Sequence, residues 1–281
     1  MAKKKLKPGT IRNAGYRLNT LVADLGALPV GDLTVQRLSN YLDETFSGDP
    51  YIKHRTTLVD ICRWGITKGL LSENPAEQTL AHNTAEKQRL PMTLDDFHAI
   101  RAQAQPWLQL AMDTALLTLQ RRGDLCKMRY DDIRDGRLFV VQEKTEKHGV
   151  RAHLSIEMSS QLEGIIARSR ADGVISPFIV HERPDRIKES KQKQHWSQVL
   201  PDRMSKQFAK ARDALPKFAN MTTAQRPGLH EIRALGGWLY LEQGYSKEYV
   251  NLLMGHTTMA MTEHYTDRHI EWTTCKAELS L

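Results

Sequence analysis

Cysteine is scarce in these 281 residues: Cys62, Cys126 and Cys275 stand far apart, with no CxxC pair and no His-rich partner segment. That spacing argues against a disulfide framework or a structural zinc site and leaves three reduced, structural thiols. Long apolar runs are missing too. No stretch approaches the length of a membrane span, and the start, MAKKKLKPGT, is a basic polar arm without the apolar segment of a secretory signal. The expectation is a globular protein of the cytoplasm with no membrane contact. Also absent are a GxxxxGK[ST] phosphate loop, a GxGxxG turn, an HExxH motif, a carboxylate cluster for a metal and any internal repeat. Phosphoryl chemistry, if present, would need neither a nucleotide cofactor nor a metal.

Acidic residues are in deficit, 33 against 40 Lys and Arg, for a formal charge of +7. Clustered Lys and Arg gain affinity for phosphate backbones by counterion release, so this balance suits a polyanionic partner, although an ordinary basic protein shares it. The length allows one large domain or two modest ones.

The N-terminal part reads as helical. Thr10 can cap a helix striped by Ile11, Ala14, Leu18, Leu21, Val22 and Leu25, which Leu28, Pro29 and Gly31 break. Thr34 can start a second helix with Val35, Leu38, Tyr41 and Leu42. After Ser47–Pro50 a third is expected from about Tyr51 to Lys68. The faces expected to be exposed carry Arg12, Arg17, Arg37, Lys53, His54, Arg55, Arg63 and Lys68, which suits a DNA-facing surface as well as a merely solvated one. The segment from Asn74 to Gln88 has no apolar periodicity and reads as a linker, the domains being set at residues 1–80 and 90–281 with 81–89 between them.

In the second domain Thr93 and Asp96 have the form of a capping box for a helix to about Ala104. The run WLQLAMDTALLTL, from Trp107 to Leu119, predicts a buried central helix. It ends abruptly at Gln120, Arg121, Arg122, Gly123 and Asp124, where Asp124 can cap an LCKMRYDDI helix. An arginine anchored to a buried element is suited to bidentate phosphate binding, but both arginines could equally pair with Asp124 and solvent. RLFVVQ and VRAHLSI alternate as strands of a hairpin, with Lys144 where the first strand enters the turn, positioned for a cleft or simply solvated. Helices are expected near Ser159–Arg170 and Ser205–Leu215, and a basic loop over Pro184–Gln194.

The stretch Pro227–Asp267 gathers the most chemistry. His230 and Arg233 lie three apart in an apolar-periodic run that stops at Gly244, so a helix would present both on one face. Ser246 can cap a second helix that Gly255 ends, leaving His256 on the following turn. A third, from about Thr258, brings back Tyr265. A phenol with a pKa near 10 needs a proton acceptor and cations on the attacked group before it can act as a nucleophile, and His and Arg supply both. An HxxR pair alone is more often a surface pair.

Taken in order, Arg121, Lys144, His230, Arg233, His256 and Tyr265, carried on LQRRGDLCKMRYDDI, DGRLFVVQEKT, LHEIRALGGWLY and LLMGHTTMAMTEHYTD, resemble the tyrosine recombinase family, phage integrases of the lambda type above all. Weaker similarity runs through ITKGLLSENPAE and RLPMTLDDF into the N-terminal helices, so that nearly the whole chain is covered. The implied fold is mainly α with a small β-sheet: a helical core-binding domain followed by an α+β catalytic domain. The implied reaction is site-specific recombination through a 3′-phosphotyrosine on Tyr265. Arg121 and Arg233 would clamp the non-bridging oxygens, His230 would accept the tyrosine proton, Lys144 would protonate the leaving 5′-oxygen and His256 would hydrogen-bond the phosphate. Asp124 would orient Arg121. Arg121 is preferred to Arg122 because RRGDL fits the family's arginine-x-glycine-acid-apolar pattern, while Leu119 departs from the Gly that commonly stands two residues before that arginine.

The resemblance further implies double-stranded DNA attachment or core sites, a homo-tetramer on DNA from a monomer when free, and directionality or DNA-bending factors. The tail after Asp267, with Trp272 and Leu279, looks like a segment that docks on a neighbour. Lambda-type members carry a further N-terminal arm-binding domain, and this sequence begins at the core-binding helices. The alternatives are a catalytically silent DNA-binding relative, which has no need of Tyr265, and type IB topoisomerase-like strand relaxation.

Overall fold

The computed structural model describes residues 6–82, 89–144, 153–187 and 190–256. It divides into two compact units, Met1–Lys87 and Gln88–Leu281. Among the described residues no helix is long and apolar enough to cross a membrane.

The first unit is helical: α1 (Pro8–Leu25), α2 (Val35–Thr45) and α3 (Gly48–Thr67). Helix α1 starts two residues before Thr10, with Pro8 in its first turn, where a missing N–H forfeits no intrahelical bond. Thr34 caps α2 by accepting from the Arg37 amide. Helix α3 starts at Gly48 rather than Tyr51, because Pro50 falls in the first turn and is tolerated there. Leu21, Leu38, Leu42, Tyr51, Leu58 and Cys62 form the core.

Two expectations for this unit are corrected. The supposed linker is, over residues 74–82, a packed arm. Asn74 donates to the Val59 carbonyl at 3.1 Å, Arg55 donates to both Thr79 oxygens, and Tyr51 stacks on His82. Its irregular backbone is satisfied by polar side chains, so it shows no apolar period. Nor is the basic face wholly outward. Arg17 donates to Thr57, Arg55 to the arm, and His54 stacks on Phe46, all three half-buried.

In the second unit α4 (Leu94–Gln103) carries the complete Thr93–Asp96 capping box. Helix α5 (Pro106–Thr118) is its central element, packed by α7 (Ser160–Arg170), α8 (Pro201–Asp213) and α10 (Glu231–Glu242), with Leu108, Met112, Phe208, Ile232 and Leu235 among the core residues. Among the described residues the remaining α-helices of this unit are two of one turn, α6 (Arg122–Leu125) and α9 (Pro216–Ala219), and α11 (Lys247–Met254). Pro201 starts α8 four residues before Ser205, and the region of the basic loop is irregular where it is described.

The hairpin forms from β2 (Arg137–Val141) and β3 (His153–Glu157), antiparallel, with Leu138 opposite Ile156 and Val140 opposite Leu154. Leu138 and Val140 point into the core. The expected LCKMRYDDI helix does not exist. Instead the Met128 carbonyl accepts from Ile179 and the Tyr130 amide donates to Pro177, bridging the chain to residues 177–179, and a 3-10 turn over Tyr130–Asp132 then leads into β1 (Ile133–Arg134). Leu125 at the end of α6, Cys126 in the turn after it and Met128 beside residues 177–179 are all buried in the core. Asp135 and Gly136, both at positive φ, turn β1 into β2. An Asp-Gly pair of this kind is the turn signal that could have revealed the extra strand.

Candidate active site

The buried helix α5 ends on Leu119, which adopts the left-handed conformation (φ 55°) that favours glycine. This costs a branched residue about 1–2 kcal/mol. Fully burying a leucine side chain offsets it, at about 1.5–3 kcal/mol, and Leu119 is wholly buried against Val250, Leu253 and Met254. The turn that glycine would make is thus made by leucine. It turns the chain so that Arg121 and Arg122 diverge. Arg121 is half-buried and donates to Gln142 Oε1 at 3.1 Å, whereas Arg122 is exposed and donates to Ser205 at 2.6 Å on α8.

Arg233 lies in the first turn of α10, which His230 precedes as N-cap; the arginine is buried and His230 is exposed. A buried guanidinium needs compensating acceptors. Here they are the Leu119 and Met254 carbonyls, at the C-terminal ends of α5 and α11. Such carbonyls have no intrahelical partner and carry the negative end of the helix dipole, so two helix termini help to hold the cation in place. The approach depends on paired glycines in α10. A Cβ on Gly236 would come 2.5 Å from the Leu116 carbonyl oxygen, and one on Gly237 would come 2.5 Å from the Met254 methyl.

Helix α11 is capped by Ser246 and ended by Gly255 at φ 58°, which delivers His256 to the same place. His256 Nε2 is 3.0 Å from Arg233 Nη2. Arginine can only donate, so Nε2 is the acceptor and the neutral ring carries its proton on Nδ1. Burial pushes the imidazole pKa down to about 3, and the charges of Arg233, Arg121, His230 and Lys144 push in the same direction. Lys144 stands exposed, three residues beyond β2.

Asp124 is buried inside α6 and is not the cap of a following helix. Its Oδ1 accepts from the Glu143 amide at 3.0 Å, fastening the residue next to Lys144. Burial raises its pKa, against the lowering pull of that bond and of Arg121 and Arg233. Tyr265 and the tail beyond Asp267 lie outside the described residues. Sequence reasoning missed Gln120 and Gln142, wholly or almost wholly buried between these groups. Neither belongs to a recognisable motif; the only clue was a polar residue at each end of an apolar run. Among the described residues no group of three or more His, Cys, Asp or Glu could hold a metal ion. A dense positive site of this kind can receive one phosphate diester and stabilise the charge that builds on its oxygens during displacement.

The sequence model of the phage integrase family matches residues 91–271. The integrase of Escherichia phage HK022 is 30% identical over 282 residues, covering 97% of this chain and 74% of the relative. That of Escherichia phage lambda is 30% identical over 280 residues with the same coverage. Among solved structures, a lambda integrase dimer bound to a COC′ core site aligns with TM-score 0.80 and 26% identity, over 99% of this chain and 77% of that one. A lambda integrase tetramer bound to a Holliday junction aligns with TM-score 0.79 and 26% identity, over 98% and 76%.

Proposed function

The chain belongs to the phage integrase family, a tyrosine-type site-specific DNA recombinase, and we propose that the cluster around His256 carries its strand cleavage and rejoining. The observation that supports this most strongly is the 3.0 Å contact of His256 with the buried Arg233, whose guanidinium is also held by the Met254 carbonyl two residues before that imidazole.

The Tyr265 phenol oxygen would attack the scissile phosphorus as the bond to the 5′-oxygen breaks, giving a 3′-phosphotyrosine and a free 5′-hydroxyl. His230, exposed at the mouth of α10, would take the phenolic proton, and Lys144 would give one to the departing 5′-oxygen. Rejoining reverses both transfers. Arg121 and Arg233 would bind the non-bridging oxygens, and rigid placement matters because a loose phosphoryl transition state asks mainly for positioning and charge. Two helix termini fix Arg233 before DNA arrives, so little reorganisation is left to the reaction. The neutral His256, with its proton on Nδ1, would donate to a phosphate oxygen, and a bound anion would raise its depressed pKa. Asp124 would act on Arg121 through its charge while holding the strand that leads to Lys144.

By likeness to lambda integrase, whose solved structures are bound to core-site DNA and to a Holliday junction, this protein would act on duplex core sites as a tetramer formed on DNA. Directionality or DNA-bending factors would set the direction of exchange, and the work would take place in the bacterial cytoplasm or nucleoid.

Arg233→Lys tests the proposal. An ammonium cannot reach both carbonyls and His256 as the planar fork does. Single-turnover cleavage of a nicked duplex should fall about 100-fold or more, with binding of the same duplex retained. Cleavage at the wild-type rate would contradict the assignment.

A further inference from the structure

Gln142 follows β2 by one residue, with its side chain wholly buried. Its amide faces groups whose polarity cannot change. Oε1 accepts from Arg121 Nη1 at 3.1 Å, while Nε2 donates to Gln120 Oε1 at 2.6 Å and to the Met254 carbonyl at 3.2 Å. Guanidinium groups only donate and carbonyls only accept, so a single amide orientation fits. Gln120 continues in the same sense, its Nε2 donating to the Thr118 carbonyl at 2.6 Å and the Leu253 carbonyl at 2.9 Å. The Met254 carbonyl also accepts from Arg233, which in turn contacts His256. One hydrogen-bonded path therefore runs from Arg121 through Gln142 and the Met254 carbonyl to Arg233 and His256. Room for it exists because residue 255 is glycine: a Cβ there would lie 1.8 Å from Gln142 Oε1.

We propose that Gln142 is a positioning residue that sets the Arg121 guanidinium in register with Arg233 and His256, braced from behind by Gln120. The inference rests on the reading of Arg121 as a clamp on the scissile phosphate. A half-buried arginine left to water would sample many rotamers, and arresting one of them is what an acceptor inside the fold accomplishes. The acceptor is a neutral amide. A carboxylate in its place would hold the guanidinium more strongly but would compete with the phosphate for its charge. Gln142 also lies two residues before Lys144, so the same hub fixes the strand end from which that lysine departs.

The test uses the full chain with Gln142→Met, close in volume but without the amide, and Gln142→Glu, close in shape but charged, beside Arg121→Ala. Single-turnover cleavage of a nicked duplex is measured at saturating protein, together with affinity for it. Two substrates are compared: one with an ordinary scissile phosphate and one with a neutral methylphosphonate there, which has less charge for an arginine to balance. On the phosphate, both Gln142 variants should cleave about 10–100-fold more slowly with DNA affinity unchanged. On the methylphosphonate, the deficit of Gln142→Met should shrink alongside that of Arg121→Ala. Wild-type rates for either folded Gln142 variant would overturn the proposal. So would a Gln142→Met deficit equal on both substrates while that of Arg121→Ala shrinks, because the residue would then only support packing. If Arg121→Ala itself showed no deficit, or one that did not shrink, the clamp reading would fail first, and the failure would be visible in that variant alone.

Discussion

Gly255→Ala should damage this protein more than its backbone angle explains. At φ 58° an alanine is strained by about 1 kcal/mol. Its Cβ would also fall 1.8, 2.5 and 2.8 Å from Oε1, Cδ and Nε2 of Gln142, so the whole amide must leave its place. The Gln120 Oε1 and Met254 carbonyl acceptors would lose a buried donor, at about 1–3 kcal/mol. The sum is about 2–4 kcal/mol, or a fall in Tm of about 4–16 °C for a unit of this size. Gly244 provides the control. It has φ 86° with nothing within 4 Å of a Cβ, so Gly244→Ala should cost only the backbone strain, about 1 kcal/mol or 2–4 °C. Thermal unfolding of both variants decides the matter. Equal losses would refute the account of the Gln142 hub, however large each loss was.

Three other predictions concern the same region. Gly236→Ala should destabilise by about 1–3 kcal/mol through overpacking against the Leu116 carbonyl and Leu119, although alanine favours a helix by about 1 kcal/mol; a gain in stability would disprove the close approach of α10 and α5. His256 has a folded pKa near 3 against an ordinary 6.5, so the unfolded chain binds its proton between those values. Its contribution is complete above about pH 6.5 and is lost as pH falls toward 3, with a slope of up to about 1.4 kcal/mol per pH unit. Urea unfolding at several pH values should show a shallower acid limb in His256→Asn, and identical slopes would count against a buried neutral ring. Arg233→Lys, as argued above, should separate cleavage from binding.

The helices around the site were legible because their signals are local. His230 and Arg233 follow from helical spacing, Ser246 and Gly255 from capping chemistry, and the hairpin from alternation around Leu138 and Val140. What stayed hidden depends on partners distant in sequence. Residues 125–133 are helix-compatible, but the bonds that Met128 and Tyr130 make with residues 177–179 interrupt the helix after its first turn. Leu119 in a left-handed turn is unfavourable until Val250, Leu253 and Met254 cover it. Gln120 and Gln142 have meaning only once α11 lies between them and Arg233. Polar residues 74–82 read as a linker because hydrogen bonds, unlike burial, leave no period in a sequence.

The central claim is that this constellation drives cleavage of DNA by a tyrosine. Its most direct test is covalent trapping: the protein is incubated, without metal, with a nicked duplex built on its own junction sequence, and the denatured product is examined. A protein–DNA band in the wild type that vanishes in Tyr265→Phe is the expected result. A covalent band that persists in Tyr265→Phe, or none in a wild-type protein that binds the duplex and forms its synaptic tetramer, would contradict it.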